Sequence, residues 1–554
     1  MANFNKIFQE NNCLVKGDIS GIQEFIFNVK SQGAAKSLKA RSYFIYALSE
    51  MALDLIRDTL NNNFHLLYNG GGNFYFFTKD LQDGQLKSLQ SAIDHELKFL
   101  DIHLSLALAT YDSNKETFDQ VWTNVNQASA ESKQRRFSTL IEAFQPFNLG
   151  DQTNQLKRFG RELTLNPGFE ILPNGSSGAF FGNDSFFLFD RQFKLSKSLR
   201  QFEDHVISKL PRFSQSLNQE YLKVIEKYNE DAESDEVIGW ENAVIPFDIL
   251  ARFAEVRTGT HKLGVLKFDL DNLGETLVGI SEAEELHRVS QALYRFFSHN
   301  ICDFWNSSFD QIVLELDDSG NPIEINNKKH LKFGKIKENY SDNIYIIYSG
   351  GDDCMLLGGW DAVFEFAFYF HREFESFREK ELRAYPNLTL SGGLIMVDAK
   401  FPVVRFARLA DEALDQAKYG DGSLTGSRKE KNKISFLGER LSWKEFGTTR
   451  EIAHKIEELI VAKNEPKSII QRIARSAFGY NTIQQKARNG QILAPQVWKL
   501  FYYLRNTKNK EETESIVEDY SRALLDAALA RQETNPFIFP LAARWAEFLT
   551  RKKE

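Results

Sequence analysis

The sequence contains two widely separated segments that repeat the same features in the same order. Each begins with an apolar strand ending in an acid, at residues 13–18 and again at 263–269. A strand, a Gly-Gly turn and a second strand follow at residues 65–77 and 343–357. Glycine supplies the positive φ angles that a tight hairpin turn needs, so both segments predict β-hairpins. This order indicates a duplicated structural unit.

Each copy is completed by a helix and a closing strand. The helical patterns run over about residues 81–100 and 361–382, and the closing strands over 104–110 and 388–397. Strand, helix, hairpin, helix and strand form the βαββαβ pattern of ferredoxin-like folds, which is also the core of palm domains. The sequence therefore predicts an α+β protein with two palm domains arranged as a pseudo-dimer within one chain.

A chain of 554 residues is too long for one compact core, and the repeat divides it into four predicted domains. We predict a first palm domain with a degenerate site, a connecting α/β domain, a second palm domain with the Gly-Gly-Asp-Asp motif, and a C-terminal helical bundle. These domains span residues 1–149, 150–242, 243–446 and 447–554, respectively.

Composition excludes several classes of protein. The formal net charge of −8 argues against a protein that coats nucleic acid by itself, because phosphate neutralisation needs a basic surface. No stretch approaches about 18 consecutive apolar residues, and the N-terminus lacks the pattern of a signal peptide. We therefore expect a cytoplasmic protein with no membrane partner, whose nucleic-acid contacts are local or shared with other subunits.

Three carboxylates of the second copy are the predicted catalytic and metal-binding residues. Asp269 ends the first strand, and Asp352 and Asp353 occupy the hairpin turn. Neighbouring strands lie about 4.8 Å apart, so the three acids can converge on one site. Mg²⁺ or Mn²⁺ prefers such oxygen ligands, and a pair of these ions can activate a ribose hydroxyl while stabilising the leaving pyrophosphate.

Further residues are predicted to contact the nucleotide. Glycines in the hairpin turns let a triphosphate approach the backbone. Backbone N–H groups after Asp269 could bind phosphate at the start of a helix, and a lysine on the helix after the last strand could neutralise triphosphate charge, although a solvated surface lysine is an equal alternative. These residues are Ser349, Gly350, Gly351, Asn272, Gly274, Lys418, Asn69, Gly70 and Gly71.

The first copy lacks two of the three acids. Gly72 and Asn73 stand where the second copy has Asp352 and Asp353. Asp18 remains, but one carboxylate cannot hold two divalent ions, so we expect the first copy to bind nucleotide without chemistry. Capping of the turn after Asp18 is an equally good interpretation of that residue. For the second hairpin, the alternative is an ordinary type I′ turn, in which glycine and aspartate are favoured anyway.

Four blocks of the chain resemble a known family, the large polymerase-like subunit of type III CRISPR effector complexes, in its Csm form. The resemblance rests on residues 17–27, 40–43, 264–274 and 349–353. It implies that ATP bound between two palms is converted to cyclic oligoadenylates when target RNA is recognised. It also implies guide RNA, target RNA and the backbone, small and guide-end-binding subunits as partners. Asp352 and Asp353 match the family's GGDD pair, and Asp269 its metal-binding strand acid.

The chain departs from this family's pattern in two respects. Members commonly begin with an HD nuclease domain, whereas this sequence contains no His-Asp dipeptide and reaches the first repeat almost at once. Members often carry a CxxC zinc ribbon, whereas no cysteine lies between Cys13 and Cys302 here. We therefore expect signalling rather than DNA cleavage as the output. An RNA-independent GGDEF-like cyclase and a non-catalytic RNA-binding scaffold remain as alternatives.

Overall fold

The protein is described by a computed structural model. It describes residues 3–29, 34–61, 63–98, 100, 102–138, 168–173, 180–181, 185–189, 191–196, 206, 209–231, 238, 243–314, 323–325, 330–331, 333–420, 431–463, 465–474, 502, 510–528, 535–536 and 538–551.

The first repeat folds as a βαββαβ unit, which we call the first unit. Its sheet has the strand order β2-β3-β1-β4, with every neighbouring pair antiparallel. The central strand β1 is largely buried because it lies between β3 and β4 and both of its faces are covered. The elements are α1 (Phe4–Glu10), β1 (Cys13–Ser20), α2 (Ile22–Phe27), α3 (Ala34–Thr59), β2 (His65–Gly70), β3 (Asn73–Thr78), α4 (Asp83–Leu97), β4 (His103–Thr110) and α5 (Phe118–Lys133).

Three sets of elements make up the second repeat, which we call the second unit. The first set is α7 (Phe247–Thr258), β9 (Leu263–Asp271), α8 (Leu273–Val278), α9 (Ala283–Arg295), the π-helix Phe296–Asn300 and α10 (Ile301–Trp305). An inserted ribbon follows as β10 (Ser308–Leu314), β11 (Glu324–Ile325), β12 (His330–Leu331) and β13 (Phe333–Asn339). The last set is α11 (Tyr340–Asn343), β14 (Ile344–Gly350), β15 (Asp353–Gly359), α12 (Trp360–Glu381), β16 (Thr389–Val397), α13 (Val403–Tyr419), β17 (Lys433–Phe436) and β18 (Glu439–Ser442).

The sheet of the second unit extends further than the sequence predicts. Its order is β14-β15-β9-β16-β17-β18, so the first four strands match the order of the first unit. The added strand β17 pairs with β16 in parallel, and β18 closes a hairpin on it. In the first unit β4 is an edge strand, whereas in the second unit the extra strands cover the matching strand β16. The alternating pattern over residues 433–442 is too short to predict β17 and β18 from the sequence.

The region between the units contains a small antiparallel sheet and a helix. The sheet order is β5-β8-β7-β6. Its elements, with the helix, are β5 (Gly168–Pro173), β6 (Phe180–Phe181), β7 (Ser185–Leu188), β8 (Arg191–Ser196) and α6 (Gln219–Asp231). Much of the predicted connecting domain, residues 150–242, lies outside the described residues.

A buried polar network joins α6 and the inserted ribbon to the second unit. The Arg257 guanidinium donates to both carboxylate oxygens of Asp361, at 2.6 and 2.7 Å. It also bonds to Tyr221 on α6 and to Asn343, the residue just before β14. Tyr221 in turn donates to Glu338 on the ribbon at 3.0 Å. A buried guanidinium is stable only when its donors are satisfied, so this network fixes where β14 begins.

The C-terminal part is helical among its described residues, with α14 (Trp443–Val461), α15 (Lys510–Ala528) and α16 (Ile538–Leu549). The helix α14 begins before the predicted boundary at residue 447 and packs on the second unit. Glu365 of α12 accepts hydrogen bonds from Arg450 at 2.6 Å and His454 at 2.8 Å. None of the described helices combines the length and apolar character needed to cross a bilayer.

The prediction of a mixed α+β protein is therefore confirmed. Predicted helices at 81–100 and 361–382 are observed at Asp83–Leu97 and Trp360–Glu381, and the predicted closing strands are β4 and β16. Within the predicted C-terminal domain, residues 475–501 and 503–509 lie outside the described residues. The boundaries of the four domains stay predictions.

Candidate functional site

The two hairpin turns meet tip to tip. A Cβ atom added to Gly351 would lie 2.9 Å from the Gly71 Cα atom, and one added to Gly71 would lie 3.3 Å from the Gly351 Cα atom. Backbones can approach this closely only where neither residue carries a side chain. The glycines of the two motifs therefore bring the units together as well as permit each turn.

A cavity of about 280 Å³ lies between the hairpins and is lined by both units. The first unit contributes α2, α3 and the end of β2, and the second contributes β9, the hairpin of β14 and β15, and the end of α9. Eight of the predicted site residues line it: Asn69, Gly70, Gly71, Asp269, Ser349, Gly350, Asp352 and Asp353.

Strand register brings the predicted acids together. Asp353 lies directly opposite Asp269 across the β15–β9 pair, and Asp352 precedes it in the turn. The Leu270 N–H donates to the Asp352 carbonyl at 2.8 Å, which fixes the turn against β9. Side chains opposite each other in an antiparallel pair share a face of the sheet. Asp269 and Asp353 therefore share a face of the sheet, and Asp352 in the turn lines the same cavity.

The electrostatics of these acids show an excess of negative charge. Burial, and then the charge of Asp269, raises the pKa of Asp352 to about 6. Burial, and then the charge of Asp352, raises the pKa of Asp353 to about 7. The Lys418 ammonium pairs with Asp269 from α13. Lys267 of β9 also acts on Asp352 and Asp353, but it pairs with Asp411. These two lysines do not offset the carboxylates around them, so the site favours binding of further positive charge.

The donors suit the Mg²⁺ or Mn²⁺ expected from the sequence. All three are carboxylates, which are the ligands these ions prefer, and their mutual repulsion would be relieved by a cation. Within the described ranges, no three histidine, cysteine, aspartate or glutamate side chains are already arranged as a metal cage. Asp269 instead holds Lys418, and Asp353 accepts a hydrogen bond from Tyr348 at 3.1 Å.

Lys418 is held by a second buried acid that sequence reasoning missed. Asp271 is fully buried, and its oxygens accept hydrogen bonds from Ser391 at 2.8 Å, Thr389 at 2.8 Å and the Asn432 N–H at 2.9 Å. The Lys418 nitrogen lies 4.0 Å away. Burial raises the pKa of Asp271 despite these bonds. The spacing i, i+2 from Asp269 on one strand was the signal available in the sequence.

The predicted residue Ser349 is held in place by the π-helix. Its hydroxyl donates to the Phe297 carbonyl at 2.6 Å. The π-helix Phe296–Asn300 interrupts the regular i to i−4 hydrogen-bond pattern where this contact forms. Single-turn π-helices are frequent at functional sites because they redirect backbone groups in this way. Ser349 thus lines the cavity while its proton is directed away from it.

Two predicted phosphate contacts lie elsewhere. The Asn272 amide donates to the Asn387 carbonyl and accepts from Lys431, both at 2.9 Å, so its side chain lies apart from the 280 Å³ cavity. Gly274 is in α8, which has only six residues, and lines a second cavity of about 490 Å³ on the other side of the hairpins. Gly351 and Asp352 border this second cavity too. The predicted binding site at the helix start therefore meets the acid cluster only at Asp352.

The first unit reproduces the scaffold but keeps only one of the three acids, Asp18. Asn73 lies opposite Asp18, as Asp353 lies opposite Asp269. Asp18 does not cap the turn after it, because its carboxylate pairs with Lys16 at 3.1 Å and with Lys133 at 2.7 Å. Lys133 ends α5, the helix after the closing strand. Its pairing with Asp18 is therefore the counterpart of the Lys418–Asp269 pair, and α5 is part of the repeat.

Two family descriptions match the two halves of this arrangement. Residues 11–149 match Csm1 subunit domain B, and residues 262–434 match the second palm domain of Cas10/Cmr2. A relative from Methanocaldococcus jannaschii, named as a CRISPR system single-strand-specific deoxyribonuclease Cas10/Csm1 of subtype III-A, is 27% identical over 513 residues. Both matched regions are those of the Cas10/Csm1 family.

The Cas10/Csm1 relatives are longer than this chain. The match to the archaeal relative covers 79% of this chain and 61% of that protein. A relative of the same name from Enterococcus italicus is 24% identical, with 91% of this chain and 63% of that protein covered. The chain therefore spans about three-fifths of the curated relatives it matches.

Solved structures of Csm1 share the fold. A Csm1–Csm4 cassette in complex with pppApApA aligns with a TM-score of 0.65 at 17% identity, covering 99% of this chain and 71% of that one. A cassette in complex with one ATP aligns with a TM-score of 0.64 at 18% identity, covering 98% and 70%. At this level of identity, the likeness concerns the Cas10/Csm1 fold alone.

Proposed function

We propose that this chain is the nucleotidyl-transfer subunit of a type III CRISPR effector complex and converts ATP to cyclic oligoadenylates when target RNA binds. We also propose that its two units act as facing palms, with chemistry in the second unit only. The observation that carries this proposal is the register of the two hairpins, which sets Asp353 opposite Asp269 in one unit and Asn73 opposite Asp18 in the other. Cassettes of Csm1 and Csm4 with ATP and with cA4 support the substrate and product class.

Several residues of the chain would contribute to nucleotidyl transfer. Asp269, Asp352 and Asp353 would hold Mg²⁺ or Mn²⁺, which supplies activation of a 3′-hydroxyl and stabilisation of the leaving pyrophosphate. Lys418 would neutralise triphosphate charge, since its nitrogen already lies beside Asp269. Tyr348 would keep Asp353 oriented through the hydroxyl that it donates. The facing first unit would position the second nucleotide, because both hairpins line one cavity.

The same proposal assigns the partners. We expect guide RNA and target RNA to act through the assembled complex, with backbone, small and guide-end-binding subunits around this chain. A Csm1–Csm4 subcomplex of a type III-A interference complex shares the fold and supports this assignment. The deoxyribonuclease activity in the relatives' names is not part of the proposal. The proposal concerns only nucleotidyl transfer by the acids of the second unit.

The test is a reconstitution of the full chain with its complex and guide RNA. Labelled ATP, Mg²⁺ or Mn²⁺ and cognate or unrelated RNA are added, and products are separated by chromatography and identified by mass. We expect cyclic oligoadenylates only with cognate RNA and none from the variant Asp352→Ala with Asp353→Ala. Equal product without RNA would favour a free cyclase, and no product from any nucleotide would favour a scaffold.

A further inference from the structure

The cavity residue Asn69 is tied to a carboxylate that has no part in the proposed chemistry. Asn69 lies near the end of β2 and lines the cavity between the hairpins. Its amide nitrogen donates to the Glu50 Oε1 atom at 2.7 Å. Glu50 lies on α3, the long helix of the first unit. This bond joins the hairpin tip to a helix that also lines the cavity.

The bond determines which way the Asn69 amide is turned. Burial raises the pKa of Glu50, but once ionised its carboxylate can only accept hydrogen bonds, so it then holds the nitrogen branch of the amide toward α3. The oxygen branch then points away from Glu50. Within the part of the chain that the structure describes, the Asn69 oxygen has no hydrogen-bond partner. Asn69 therefore offers the cavity an oriented acceptor.

The surroundings of Asn69 suit a planar base. Ile22, Ile26 and Ile45 provide apolar surface in the cavity wall, and Ser49, next to Glu50, adds a hydroxyl. The cavity wall joins these apolar side chains to oriented polar groups, and in ligand sites such polar groups determine specificity. A hydrogen-bond acceptor at such a position favours a base that presents a hydrogen-bond donor to it.

We propose that Glu50 is a positioning residue that makes this site select adenine over guanine. It acts by holding the Asn69 oxygen toward the base. Adenine presents an amino group at position 6, which donates to that oxygen, whereas guanine presents a carbonyl oxygen there and would leave two acceptors facing each other. The inference rests on the proposed function in that it takes the cavity to be the nucleotide site.

The test measures equilibrium binding rather than turnover. Non-hydrolysable ATP and GTP analogues are titrated into the full chain with Mg²⁺ at pH 8, and the ratio of the two Kd values is compared between variants. In Glu50→Gln the new amide can accept or donate, so Asn69 is free to turn over. We expect the preference for the ATP analogue to fall about tenfold, in keeping with the discrimination that one oriented amide provides.

Two further variants separate orientation from general damage. Asp54→Asn changes the acid one turn further along α3, which pairs with Arg57 at 2.6 Å, and should leave the ratio unchanged. Asn69→Ser introduces the residue found at the matching position 349 and removes the oriented oxygen, so it should lose the preference even if Glu50→Gln does not fold.

An unchanged ratio in both Glu50→Gln and Asn69→Ser would overturn the inference. Equal weakening of both analogues would also overturn it, because it would mean that Glu50 only supports the fold. If the wild-type chain bound neither analogue, the cavity would not be a nucleotide site and both proposals would fail. Selective binding by a chain that forms no product would refute the proposed function and leave this inference standing.

Discussion

The two hairpins differ most in the second residue of their turns. In the first unit, Gly71 and Gly72 both have positive φ, at 61° and 78°. In the second unit, only Gly351 has a positive φ, at 70°, and the next residue is Asp352. An L residue with a side chain adopts positive φ only at a cost, so the first turn disfavours an acid where the second accepts one. This backbone angle is one difference between the two hairpins at the position of Asp352.

The surroundings of the turns support the same conclusion. A Cβ atom at position 72 would lie 2.4 Å from the Ile22 Cδ1 atom. Both units nevertheless keep the same register break in the hairpin, between Leu66 and Tyr68 and between Ile346 and Tyr348. The two units therefore share the scaffold and differ locally at the site.

The largest expected effect comes from removing an acid of the second hairpin. The matched change in the first hairpin serves as its control. Asp353→Ala should lower nucleotidyl transfer by about a thousandfold or more, because the reacting groups lose a charged ligand. Asn73→Ala is the matched change in the first unit and should retain most of the activity. Rates of labelled ATP conversion by the assembled complex measure both. Similar losses in the two variants would mean that the hairpins share the chemistry.

Putting the acid into the first turn should destabilise the protein without creating a site. We expect Gly72→Asp to lower the free energy of unfolding by about 2 kcal/mol, because of the positive φ and the contact with Ile22. Gly84→Asp is the control, since an added Cβ atom there meets nothing within 4 Å. Denaturant unfolding of both variants gives the comparison. A neutral Gly72→Asp would contradict the backbone explanation.

The two lysine–aspartate pairs should differ in function although they match in structure. Lys418→Met should lower kcat/KM for ATP about tenfold, mainly through KM, because it removes charge beside the triphosphate. Lys133→Met should change it by less than about twofold, since Asp18 keeps its bond to Lys16. Steady-state kinetics on both variants test this. A larger loss in Lys133→Met would assign triphosphate binding to the first unit.

The smallest effect concerns stability and pH. The folded pKa of Asp353, about 7, lies above its ordinary value of 3.8, so this group destabilises the metal-free fold increasingly as pH rises from about 4 to 7. Asp353→Asn, which reproduces the first hairpin, should raise the free energy of unfolding by about 1 kcal/mol at pH 8. The gain should vanish near pH 4. Thermal unfolding in chelator at both pH values tests the sign, and a gain independent of pH would contradict it.

The sequence by itself determined the repeat, the two hairpins and the three acids. These follow from local chemistry, since strand alternation, glycine turns and a helix of period 3.6 are all set by neighbouring residues. The matching positions of Asn73 and Asp353 could also be predicted from the sequence, because both hairpins have turns of equal length.

Only the tertiary structure decided which groups surround the acids. The Lys418–Asp269 pair joins residues 149 positions apart, and Asp271 is held by β16 and by the backbone at Asn432. The contact between Gly71 and Gly351 likewise depends on how two units pack. Such contacts arise from the folding of distant segments onto one another, and no local pattern of residues specifies their distances. These contacts, together with the backbone angle at position 72, distinguish the site of the second unit from the matching region of the first.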